Sequence, residues 1–207
     1  MTRVELFNRV LNGLGYRRID DPDDTAEEVV RLNELYPQAL IEVLSLRDWG
    51  CAIRYAQLLP REEEEPIHKR TYAYDLPVDP ECLRVMDCYT DRSGARERMV
   101  RPRFEVEGKI LYSIEPIDAI RYKAYIEVED MDRHVANLLA ARLIFRAAVP
   151  LKGSSELQQA KEQDFENLYI IVSHEENKIT GFDRQGLEPH TGFQRRPRDT
   201  SQRFVRD

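Results

Sequence analysis

The chain has 207 residues, of which 33% are charged, with 38 acidic against 31 basic side chains and a net charge of −7. That length fits one domain with a sizeable core, and the acidic balance argues against general affinity for nucleic acid. No apolar run approaches the roughly 18 residues expected of a membrane span, the opening MTRVELFNRV lacks an apolar signal core, and Cys51, Cys82 and Cys88 have neither zinc-site nor disulfide-framework spacing.

Val4, Phe7, Leu11 and Leu14 recur at helical spacing, predicting a helix over 3–14 that Gly13 and Gly15 stop. A loop carrying Asp20, Asp21, Asp23 and Asp24 follows. Thr25 and Glu28 then form a capping-box pattern that opens a helix over 25–48. Its Val29, Leu32, Tyr36, Leu40, Val43 and Leu44 share one face, and Pro37 should kink it.

Over 50–128 the period falls to two. Ile120, Tyr122, Ala124, Ile126 and Val128 alternate with Arg121, Lys123, Tyr125 and Glu127, as on a strand with one buried face. Further strands are expected over 51–59, 71–74, 83–89, 99–106 and 109–113, with Glu107 and Gly108 as a hairpin turn. The expectation is an antiparallel sheet.

Val135, Leu138, Leu139, Leu143, Ile144 and Phe145 make 131–149 apolar nearly all round, which predicts a central, buried helix ended by Pro150 and Gly153. Ser154 or Ser155 then caps a helix over 154–175, whose Leu157, Ala160, Leu168, Ile171 and Val172 should pack back on it. After 177 the periodicity disappears. Gly181, Gly186, Pro189, Gly192 and Pro197 interrupt a segment of few aliphatics, so it cannot fold alone. The fold class is therefore α+β: about four helices as a core, an antiparallel β region inserted in the middle (a body of residues 1–176), and an extended arm over 177–207.

The acidic loop lacks the alternating ligands, central glycine and distal glutamate of a calcium-binding hand, and the run Glu62, Glu63, Glu64, Glu65 likewise reads as a solvated loop. His68, His134, His174 and His190 have no partner at zinc-ligand spacing. No nucleophile elbow, phosphate-binding loop or zinc-protease motif occurs, so no catalytic residue, metal or cofactor is assigned. Arg142 and Arg146 lie one turn apart on the apolar helix and must each find an acid within the chain or a contact on a neighbouring subunit. In the arm, Phe182, Phe193 and Phe204 among Arg195, Arg196, Arg198 and Arg203 suit a protein ligand that folds on binding.

An ordered series of segments spans roughly residues 4 to 175. It begins with the Leu6–Leu14 helix closing on Leu14 and Gly15, the long helix closing on Arg47, Asp48 and Trp49, and the strand from Cys51 to Leu59. Tyr72, Ala73, Tyr74, Leu76 and Pro77 then lead to Cys82, Leu83, Arg84 and Val85, and a helix pair is joined by Ala148 to Ser154. This series resembles the tail tubular protein A family, the head–tail adaptors of short-tailed bacteriophages.

The resemblance implies a non-enzymatic virion tail protein, assembled in the host cytoplasm, that forms a ring of twelve copies without a membrane. One face of the ring would meet the portal protein, the other the tail nozzle protein, and double-stranded DNA would pass through without sequence recognition. In such a ring the loops Asp20–Asp24 and Glu62–Glu65 would line the channel and repel DNA, and the arginine-rich arm would climb the portal. The family has no catalytic motif to carry over, and this chain departs from it in its long arm. Two alternatives make different demands: a tail-associated cell-wall hydrolase needs two carboxyls across a cleft, and a DNA-binding packaging factor needs a contiguous basic face.

Overall fold

The computed structural model describes residues 1–61, 71–90 and 102–179. The elements are α1 (Arg3–Gly13), α2 (Glu27–Leu46), β1 (Ile53–Gln57), β2 (Tyr72–Asp75), β3 (Cys82–Tyr89), β4 (Phe104–Glu107), β5 (Ile110–Ser113), β6 (Ala119–Ala124), α3 (Arg133–Lys152) and α4 (Ser155–Ile179). Short 3-10 turns at Gly50–Ala52 and Val128–Asp130 flank the β region. The fold is α+β, and among the described residues the strands form two three-stranded antiparallel sheets rather than one, in the orders β1-β6-β3 and β2-β5-β4.

A capping box starts α1: the Thr2 hydroxyl accepts from the Glu5 N–H at 3.2 Å, and the Glu5 carboxylate accepts from the Thr2 N–H at 2.9 Å. Gly13 is inside the helix and serves packing, because a Cβ there would lie 2.8 Å from Ile144 Cδ1 on α3. The chain turns away two residues later, at Gly15 with φ +74°. The capping box expected at Thr25 does not form. The Asp24 carboxylate instead accepts from the Ala26 N–H at 3.1 Å, an Asx turn that moves the start of α2 to Glu27. From there α2 continues through Pro37 to Leu46.

The central helix also outlasts its expected stop. Pro150 lies in the last turn of α3, and the reversal comes at Gly153, whose φ of +63° places it in the left-handed region and whose N–H donates to the Val149 carbonyl at 2.8 Å. Ser154 then caps α4 by accepting from the Leu157 N–H at 3.1 Å. Helix α4 runs to Ile179, past the expected end at 175, and buries Phe165 and Val172, whereas Ala160 and Ile171 of the expected face are exposed. By length and composition α3 is apolar enough to cross a membrane, but α1, α2 and α4 all pack on it. Its apolar circumference is explained by that position at the centre of the helices.

In the β region, β6 ends at Ala124, so Ile126 and Val128 are buried beyond the strand rather than in it. Alternation reported their burial correctly, but the hydrogen-bonded ladder stops earlier. The β4–β5 hairpin turns at Gly108 and Lys109, one residue later than expected, with Glu107 paired to Ile110 and Gly108 at φ +60°. One hydrophobic cluster joins the two halves: Leu6, Phe7 and Leu11 of α1, Leu40 and Leu44 of α2, and Leu138 and Leu139 of α3 meet Tyr74, Leu111 and Ile120 from the sheets.

Candidate functional site

The segment that leaves α2 ties strands β3 and β6 and three helices together. Trp49 is fully buried; its indole N–H donates to the Val43 carbonyl at 2.8 Å, and its ring meets Tyr169 of α4 edge-on at 6.5 Å. Beside it, Asp48 accepts from Lys123 of β6 at 2.9 Å and pairs with Arg84 of β3. Lys123 is itself buried and also donates to the Leu44 carbonyl at 3.0 Å, placing a cation on the C-terminal turn of α2 where the helix dipole favours it. Burial would raise the Asp48 carboxyl, but hydrogen bonding and charge from Lys123 and then Arg84 outweigh it and hold the group below the usual carboxylate range.

The same segment is fastened to α4 from the other side. Arg47 donates to the Ser173 carbonyl at 3.2 Å and to the Asn177 side chain. Buried Glu176 accepts from the Gly50 N–H and hydrogen-bonds His134 Nε2, both at 2.7 Å. The Asp132, His134 and Glu176 side chains offer ligand atoms within 4.8 Å of one another, a group that could hold a cation. As arranged, His134 and both Glu176 oxygens are engaged, and they latch the start of α3 to the end of α4. His134 and Glu176 are 42 residues apart, so no sequence spacing could have marked them.

Arg142 and Arg146 are satisfied inside the chain. Both Nε groups donate to Glu42 Oε2, at 2.8 and 2.9 Å, and Arg146 makes a second bond to Oε1. Arg142 also lies over the Phe145 and Phe165 rings, 4.8 and 5.0 Å from their centroids. This removes the reason for assigning the two arginines to a neighbouring subunit. Burial acts to raise the Glu42 carboxyl, and the hydrogen bonds and charges of the two arginines override it to hold the group low.

Asp20, Asp21, Asp23 and Asp24 are all exposed. Two of them shape their own loop: Asp21 accepts from the Asp23 N–H at 2.9 Å, and Asp24 accepts from the Ala26 N–H at 3.1 Å. Asn33 holds this loop to α2 by donating to the Pro22 carbonyl at 2.8 Å. Glu62, Glu63, Glu64 and Glu65 lie outside the described residues, as do Phe182, Phe193, Arg195, Arg196, Arg198, Arg203 and Phe204. The three cysteines are free thiols; burial pushes Cys82 up to about 11 and Cys88 to about 12.

No protein-family model matches the chain, and no curated protein matches it.

Proposed function

We propose that the chain is a structural head–tail adaptor: one subunit of a ring between portal and tail nozzle that lines the channel for double-stranded DNA. The observation that carries this reading is where the resemblance residues fall. Arg47, Asp48 and Trp49 form the junction between helices and sheet, Arg84 completes it from β3, and Pro150 to Ser154 make the reversal between α3 and α4. Residues of the resemblance that are separated along the chain thus meet in one scaffold, and this supports a structural reading.

The hydrolase alternative asks for a carboxyl whose proton is retained near neutral pH. Glu42 and Asp48 are shifted in the opposite direction, each by cations that brace the fold.

The arm is assigned to the portal, with Phe182, Phe193 and Phe204 as anchors and Arg195, Arg196, Arg198 and Arg203 as partners for carboxylates. Since α4 reaches Ile179 and Asn177 holds Arg47, the cut that tests this comes after Ile179. The truncated chain should keep the helical circular dichroism of the full chain and bind purified portal rings at least about tenfold more weakly. Undiminished portal affinity would rule the arm out as the tether.

A further inference from the structure

A groove of about 750 Å³ runs between the outer face of α1 and the start of α3, lined by Glu5, Asn8, Arg9, Asn12, Arg18 and Arg133 with Met131 at its side. Its three arginines come from three separate segments. Among the described residues none of them has a carboxylate partner: Arg9 reaches only the amide oxygen of Asn137, and Arg18 and Arg133 have no ion pair. The single acid in the lining, Glu5, is engaged in the α1 capping box. On a chain of net charge −7, three arginines against one occupied glutamate make a locally cationic concavity.

The rim is held in place. Buried Asn8 donates to the Ile19 carbonyl at 2.8 Å and accepts from the Ile19 N–H at 2.7 Å, so the backbone next to Arg18 is fixed from both sides. Like charges gathered in a concavity repel one another, and an anion seated among them relieves that repulsion. The guanidinium fork matches carboxylate and phosphate equally well, so the choice between them depends on the surroundings. Exposed Asp20, Asp21, Asp23 and Asp24 follow Arg18, and Glu129, Asp130 and Asp132 precede Arg133. A long polyanion such as a nucleic acid, which must run on past the groove, meets like charge in the stretches of chain beside Arg18 and Arg133. A ligand with a few localised charges does not.

We infer that this groove is a docking site for a short acidic segment of a partner protein, whose carboxylates pair with Arg9, Arg18 and Arg133. The volume falls within the range of roughly 300–1,000 Å³ typical of ligand sites, and the exposed Asn12 amide adds a group for the backbone of the segment. The assignment goes beyond the adaptor reading and stands without it.

The test is fluorescence anisotropy of the full chain with a fluorescein-labelled Gly-Glu-Glu-Glu-Gly peptide at low salt. Arg18→Glu and Arg133→Glu should each weaken binding about tenfold or more, whereas Arg17→Glu, an equal charge change at an exposed neighbour that does not line the groove, should change it less than about twofold. Arg18→Lys should retain part of the affinity. Both charge reversals leave the core untouched, and an acid in the first turn of α3 favours the helix, so unchanged thermal unfolding is expected. Three results would overturn the inference: no saturable binding by the unaltered chain, equal loss with Arg17→Glu, or displacement of the peptide by a short DNA duplex that binds more tightly through the same arginines.

Discussion

The helical half and the β half of the chain are buried in different ways. Helices α1, α2 and α3 each place several apolar side chains at zero exposure, among them Leu6, Phe7, Val10 and Leu11 on α1 alone. On β4, by contrast, a half-buried Phe104 is followed by three exposed residues, and the second sheet covers the core mainly through Tyr74 and Leu111. A helix packed among other helices buries most of its apolar residues, whereas β4 contributes one half-buried side chain, Phe104. Stability should therefore be concentrated in the helices and the Trp49 junction, with the outer hairpin more tolerant of change.

Several substitutions would break or sharpen that contrast. Trp49→Ala removes a fully buried ring together with its hydrogen bond to Val43 and should cost about 3–5 kcal/mol in urea unfolding; a loss below about 1 kcal/mol would mean the junction is not a keystone. Glu42→Gln leaves two guanidinium groups facing a neutral partner on half-buried helix faces and should cost about 1–3 kcal/mol. Because the Glu42 carboxyl is held below its unfolded value, its contribution is complete above the unfolded carboxylate range and fades as pH falls through the folded value. Glu42→Gln should accordingly flatten the acid limb of stability measured against pH, and an unchanged limb would refute the pairing.

Smaller effects are expected in the outer sheet. Gly108→Ala forces a side chain into φ +60° and should cost about 1 kcal/mol, less than a core truncation. Val106→Thr, on an exposed β4 position, should move stability by no more than about 0.5 kcal/mol. A cost for Val106→Thr comparable to that of Trp49→Ala would abolish the contrast between the halves.

The helices were legible in the sequence because their burial follows a local period: the Val29–Leu44 face and the apolar circumference of α3 need no knowledge of partners. Their ends were less so. Thr2–Glu5 and Thr25–Glu28 have the same spacing, yet only the first forms a capping box; at the second, the N-cap is Ala26 and no side chain caps it. The division of the strands into two sheets depends on pairing register, which the alternation of one strand does not encode. The candidate sites were mostly hidden for the same reason. Glu42 meets Arg142 across 100 residues, Asp48 meets Lys123 across the α2–β6 boundary, and Arg9, Arg18 and Arg133 gather from three elements. Only the pairing need of Arg142 and Arg146 on an apolar helix left a signal, and it did not name the acid.

The adaptor account is tested most directly by the mass of the complex that the chain forms with purified portal rings, measured by native mass spectrometry. The account predicts a single closed complex heavier than portal alone by twelve times the 24.3 kDa of one chain, built through head-to-tail contacts that use two different patches on each subunit. Portal mass unchanged by the chain, or the chain recovered only as a two-fold dimer, would contradict it.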